Sequence, residues 1–97
     1  MDAELYESET YQVGIGVEAQ VVVWVVPEPV PGSTHLFKYR LALIADDVCV
    51  LRYDNEAGKG DHRHLGTRQF PYDFRGRDDL MVDFWEDVGK WLNRHGR

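Results

Sequence analysis

An antiparallel β-sheet of about four strands, with a C-terminal α-helix packed on one face, is the α+β fold that this sequence predicts. Three features point to it. Val17 to Val26 is a β-branched run that Pro27 closes. Two alternating segments flank the pair Asp46-Asp47. Asp78 to His95 carries its apolar residues at helical spacing. With 97 residues the chain is expected to form one domain, 1–97, around one modest core.

The first ten residues are acidic and read as a flexible start or an edge strand around Tyr6 and Tyr11. Gly14 and Gly16 weaken a strand there. In Val21-Val22-Val23-Trp24-Val25-Val26 the stiff χ1 of valine favours a buried strand over a helix. Pro27 to Ser33 is a stiff extended connection that ends in a turn. From His35 to Ile44, Phe37, Tyr39, Leu41 and Leu43 share one face, with Lys38 and Arg40 on the other. Asp46-Asp47 marks a hairpin turn, and Val48 to Asn55 returns. A two-residue loop would set Leu43 beside Val50 and Leu41 beside Arg52. A three-residue loop through Val48 sets Leu43 beside Leu51 and Leu41 beside Tyr53. The longer loop keeps one face apolar and is the one predicted, because a one-residue slip turns every side chain over. It also gathers Lys38, Arg40 and Arg52 on the opposite face.

Glu56-Ala57-Gly58-Lys59-Gly60 is a glycine-rich loop. Leu65 to Arg77 has no clean period; Tyr72 or Phe74 is its candidate for a short strand. In the helix, Met81, Phe84, Trp85, Val88, Trp91 and Leu92 form a single apolar stripe. Asp78 is the expected N-cap and Gly96 the expected C-terminal stop. Asp79 and Asp83 suit the positive end of the helix dipole, Arg94 and His95 the negative end. Trp85 and Trp91 read as core anchors.

Composition narrows the function classes. No apolar run reaches the roughly 18 residues of a membrane-spanning helix, so no membrane partner is expected. The start Met1-Asp2-Ala3-Glu4 does not read as a secretory signal. The single cysteine, Cys49, excludes an intramolecular disulfide and a multi-cysteine metal site. Among Val48, Val50 and Leu51 it reads as a buried thiol, consistent with a reducing cytoplasm. The net charge of −6 argues against wholesale wrapping of nucleic acid. Residues 1–31 carry six acids and no Lys or Arg, whereas residues 32–77 carry eight Lys and Arg against six acids.

The chemistry-bearing segment is Lys59-Gly60-Asp61-His62-Arg63-His64. Two imidazoles titrate near neutral pH, so one can accept a proton while the other donates one. Lys59 and Arg63 can neutralise charge on a phosphorane-like transition state, and Asp61 can orient a histidine. In an extended segment positions 62 and 64 share a face, with Arg63 opposite. This inventory suits metal-free RNA cleavage, with the 2′-hydroxyl as internal nucleophile. The same residues leave two other readings open. One is a divalent metal held by His62, His64 and Asp61 or His35; the other is a solvated polar loop. Arg52 suits phosphate contact or a pair with Asp54, and Tyr53 reads as core. Asp54 and Asn55 are expected to hydrogen-bond the following loop. His35 and His95 stand as single exposed histidines.

Arg52-Tyr53-Asp54-Asn55-Glu56-Ala57-Gly58-Lys59-Gly60-Asp61-His62-Arg63-His64 resembles the signature of the TumE family, the toxin halves of bacterial type II toxin–antitoxin pairs. Val23-Trp24, Pro27, Pro29-Val30-Pro31-Gly32-Ser33 and Phe37-Lys38-Tyr39-Arg40 resemble the family's first half. The resemblance implies a small cytoplasmic toxin, silenced by a helix-turn-helix antitoxin encoded beside it, with RNA as substrate. The positions carried over are Arg52, Asp54, Asn55, Lys59, Asp61, His62, Arg63 and His64. The expected catalytic set is His62, His64, Lys59, Asp61 and Arg63. The expected substrate-binding set is Arg52, Asp54, Asn55, Lys38 and Arg40, and no metal or cofactor is expected. A non-enzymatic interaction module, favoured by the acidic ends, and a metal-dependent nuclease are the alternatives. An exposed sheet edge suits a homodimer or the antitoxin.

Overall fold

The computed structural model describes residues 2–56 and 58–97; Met1 of the acidic start and Ala57 of the glycine-rich loop lie outside the described residues. Among those described, six strands and one helix form in the order β1 Glu4–Gly14, β2 Val17–Val25, β3 Phe37–Ala45, β4 Val48–Asp54, β5 His62–Leu65, β6 Arg68–Pro71 and α1 Arg77–His95. The strands make one antiparallel meander in chain order. The α+β class and the C-terminal helix agree with expectation; the sheet has six strands rather than four. The additional strands lie at the two edges. β1 is mostly exposed and pairs along its length with β2, so main-chain hydrogen bonds rather than a buried face hold it. β5 and β6 have four residues each, too few to carry a visible period. Tyr72 and Phe74 both lie beyond β6.

The core follows the pleat. Val17, Ala19, Val21 and Val23 stand beside Ala45, Leu43, Leu41 and Tyr39, and all are buried. Leu51 and Tyr53 extend this face on β4, and α1 covers it with Leu80, Met81, Phe84 and Val88. Each large side chain buried this way contributes about 1.5–3 kcal/mol.

The β3–β4 hairpin differs from its expected form. Ala45 pairs with Val48 across a two-residue turn, with Asp46 at φ 49° and Asp47 at φ 67°. Two positive φ angles make this the turn whose twist matches the strands. Ile44 then pairs with Cys49 but Leu43 with Leu51, which leaves Val50 as a bulge. The expected pairs Leu43–Leu51 and Leu41–Tyr53 therefore form through a bulge, not through a three-residue loop. The bulge absorbs the one-residue shift that would otherwise turn Leu51 and Tyr53 outward.

The helix starts one residue before Asp78. Gly76 is the N-cap, at φ 116° and with no side-chain capping bond, so Asp78 lies inside the first turn. Arg77 fixes this start by pairing with Glu7 on β1. Gly96, left-handed at φ 67°, ends the helix as expected, and Arg97 N–H donates to Leu92 O at 2.9 Å. The face of the sheet opposite α1 is left uncovered by any helix among the described residues.

Candidate functional site

The uncovered face collects polar residues by register. Across β3, β4 and β5, Arg40 stands beside Asp54 and Asp54 beside His62. One pleat further along, Ala42 stands beside Arg52 and Arg52 beside His64. Lys38 lies on the same face of β3, next to Trp24 of β2. The two imidazole centroids are 6.4 Å apart.

Each histidine has a defined reactive side. His62 Nδ1 lies 2.9 Å from the Gly60 carbonyl. A carbonyl only accepts, so Nδ1 carries the proton and Nε2 is left for solvent or ligand. His64 Nε2 lies 3.3 Å from Arg52 Nη2 and 3.6 Å from Asp54 Oδ1. Guanidinium only donates, so the Nε2 lone pair points at Arg52. Burial, then the Arg52 charge, hold the His64 imidazole below its ordinary proton affinity, against the opposing pull of Asp54. Arg52 Nε in turn lies 2.8 Å from Asp54 Oδ2, an ion pair without hydrogen-bond alignment at that nitrogen. His64, Arg52 and Asp54 thus form one coupled group, with His62 beside it. A recess of about 90 Å³ next to His64, lined by Cys49, Val50, Leu51, Arg52 and Gly66, opens where the β4 bulge lies. Cys49 is half-buried at this recess rather than enclosed in the core.

The remaining candidate residues lie elsewhere. Asp61 belongs to a structural network. Ser33 Oγ donates to Asp61 Oδ1 at 2.6 Å and Tyr39 Oη donates to Asp61 Oδ2 at 2.6 Å. Burial and this bond to Asp61 push the Tyr39 phenol well above its ordinary range, so it stays a donor. His35 is not a lone surface histidine: its Nδ1 accepts the Phe37 N–H at 3.1 Å and its Nε2–H donates to Asp61 at 2.8 Å. Its ring stacks on Phe74 with centroids 3.6 Å apart. Arg63 points to the helix side, where its Nε donates to Asp87 at 2.8 Å beside the Tyr53 hydroxyl. Lys59 is exposed in the loop before β5.

Asn55 is fully buried, and its bonds run backward along the chain rather than into the following loop. Its side chain accepts from Tyr39 N–H at 2.9 Å and donates to Phe37 O at 2.8 Å and Ser33 Oγ at 3.2 Å. Together Asn55 and Asp61 seat the Pro27–His35 connection against the start of β5. Gly32 and Gly60 are in backbone contact there, each at positive φ, and a side chain on Gly32 would collide with Gly60. The alternative metal set does not converge, because His35 and Asp61 bond each other away from His62 and His64. Among the described residues no group of three His, Cys, Asp or Glu side chains is placed to hold a metal ion.

The open face therefore brings together His62, His64, Arg52, Asp54, Arg40 and Lys38, and separates them from Asp61, Arg63 and Asn55. Trp24 is the residue of this face that spacing arguments overlooked. Strict alternation with the buried Val23 was the signal that could have found it. No helix of the described residues is long and apolar enough to cross a membrane.

No curated protein and no solved structure matches the chain. The family described as "Toxin TumE" matches residues 2–92, which takes in the whole sheet and α1 as far as Leu92. By that match the chain belongs to the TumE toxin family.

Proposed function

We propose that the protein is the toxin of a type II toxin–antitoxin pair and cleaves RNA on the open face of its sheet, in the cytoplasm, until a helix-turn-helix antitoxin silences it. The observation that carries this reading is the pair His62 and His64, half-buried side by side on the open face with a guanidinium against His64. His64, kept below its ordinary proton affinity by burial and by Arg52, takes the proton of the ribose 2′-hydroxyl at Nε2 once the Arg52 guanidinium turns from that nitrogen to the phosphate. The 2′-oxygen attacks phosphorus and the bond to the 5′-oxygen breaks. His62 acts as the imidazolium: with Nδ1–H fixed on Gly60, it gives its second proton, on Nε2, to that leaving oxygen and is left neutral. The products are a 2′,3′-cyclic phosphate and a 5′-hydroxyl. Arg52, Arg40 and Lys38 lie on the same face to meet the phosphate charge. Asp54 holds Arg52 and limits how far the His64 proton affinity falls.

His62→Ala and His64→Ala are each expected to relieve growth inhibition and to lower RNA cleavage by about 10²–10⁴-fold, with the far-ultraviolet spectrum unchanged. Full toxicity of the double variant overturns the reading. The acidic, exposed strand β1 favours a second reading, a non-enzymatic module that binds a protein. Incubating purified protein with total RNA separates the two. Cleavage that survives chelator supports the histidine mechanism, cleavage lost with chelator supports a metal-dependent nuclease, and no cleavage supports the binding module.

A further inference from the structure

We propose that Trp24 is a nucleobase platform, on which a base of single-stranded RNA stacks at a distance from the cleaved bond; this rests on the reading of the histidine face as an RNA-cleaving centre. The three tryptophans are not placed alike. Trp85 is wedged edge-on between Tyr11 and Phe84, with ring centroids 5.2 and 5.3 Å away. Trp91 stacks on His95 at 4.0 Å and lies under the Arg97 guanidinium at 5.8 Å. Among the described residues Trp24 has no such aromatic or cationic ring partner. It alternates with Val23, which is fully buried under α1, so its indole belongs to the open face. Leu5 and Lys38 are its cross-strand neighbours.

Cations flank the path from Trp24 to the histidines, and the one carboxylate on it, Asp54 between Arg40 and His62, is paired with Arg52. Lys38 stands beside the indole, Arg40 follows one pleat along on β3, and Arg52 is next to His64. Three strand spacings separate β2 from β5, about 14 Å. That distance exceeds the reach of the nucleotides joined by the cleaved bond, so the stacked base is one further along the strand. A single strand fits this layout better than a duplex. Its bases are free to lie on an aromatic ring, whereas paired bases keep their faces hidden in the stack. Stacking of this kind tolerates any base, so Trp24 supplies affinity and register rather than sequence choice.

The test uses the intact protein and a fluorophore-labelled 2′-O-methyl oligonucleotide of about eight nucleotides, a length within single-strand site sizes, which lacks the nucleophile. Fluorescence anisotropy is read for wild type, Trp24→Leu, Trp24→Ala and Trp24→Phe. Leu keeps apolar bulk without a π-face, and its melting curve checks the fold. Binding is expected to weaken about five- to hundredfold for Leu and Ala and to stay within about threefold for Phe. With cleavable RNA, the ratio of kcat/KM on the long strand to that on a dinucleotide is expected to fall by the same factor. Wild-type affinity in folded Trp24→Leu overturns the platform even if His62→Ala and His64→Ala are inactive, which leaves the cleavage reading standing. Unchanged cleavage in the histidine variants overturns the cleavage reading, and the anisotropy series still decides the platform by itself. No binding of the oligonucleotide by wild type overturns the platform and leaves the face to a protein partner.

Discussion

His64 sits between a cation and a carboxylate, and its behaviour follows from which one prevails. Burial and Arg52 lower its proton affinity, while Asp54 opposes them less effectively. Arg52→Gln removes the opposing charge, so the His64 proton affinity should rise toward the ordinary histidine value. A base works only when neutral, so the acid limb of kcat/KM should move to higher pH in that variant. An unmoved acid limb, or an unmoved imidazole titration by NMR, would show that Arg52 does not set this group. The sign for stability is fixed by the same shift. The unfolded chain binds the His64 proton more readily than the folded one. The contribution is therefore intact above the ordinary histidine value and is lost as pH falls through the lower folded value. His62 and His64 were legible as a same-face pair from their two-residue spacing alone. Asp61 and Arg63 obey that same parity and so face away from the pair. Their partners, Tyr39, His35 and Asp87, could not be read from the segment itself because they come from other strands and the helix.

At the scale of elements, the β3–β4 hairpin sets the site. Without the bulge at Val50, Arg52 would face α1 and Tyr53 would face solvent. The bulge therefore keeps the apolar face whole and delivers Arg52 to His64. The turn before it holds two non-glycine residues at positive φ, where a side chain is strained. Asp46 has a compensating contact, an ion pair with Arg97 at 2.6 Å. Asp47 is exposed and is the better position for glycine. Asp47→Gly should stabilise the protein by up to about 1 kcal/mol, read as a higher urea midpoint at constant m-value. A lower midpoint would mean that the strain is already relieved by another contact. The hairpin and its apolar pairs were legible in the sequence. The turn type was not, because a three-residue loop and a two-residue turn with a bulge produce the same pairing beyond Leu43.

For the whole molecule, net charge is a poor guide to the face that matters. The chain carries −6, yet several of its acids are held by cations on the helix side. Glu7 pairs with Arg77, Asp83 with Arg75 and Asp87 with Arg63. The open face instead carries Lys38, Arg40 and Arg52, with Asp54 and Glu18 as its acids on β2 to β4. If these three cations meet phosphates, log affinity for single-stranded RNA should fall with log salt at a slope of about −2. Lys38→Ala and Arg40→Ala should each flatten it by about 0.7. A slope near zero in the wild type would remove these residues from any RNA path. The acidic strand β1 lies two strands from β3, at an edge, and does not stand between these cations and the histidines.

Val17 to Val25, the alternation of β3, the pairing of Leu43 with Leu51 and the helix from its apolar stripe are all properties of local sequence. Each depends on the period of neighbouring residues, which the chain carries wherever it folds. So does the shared face of His62 and His64. What tertiary structure alone decided is which strands lie side by side. Pairing made a strand of the acidic start, placed Asp54 and Arg52 against the two histidines and turned Asp61 into an anchor for the Pro27–His35 connection. It also left Trp24 on the open face, beside Lys38. Those neighbours are distant in sequence, and only main-chain hydrogen bonds between strands, with a register set by burial, bring them into contact.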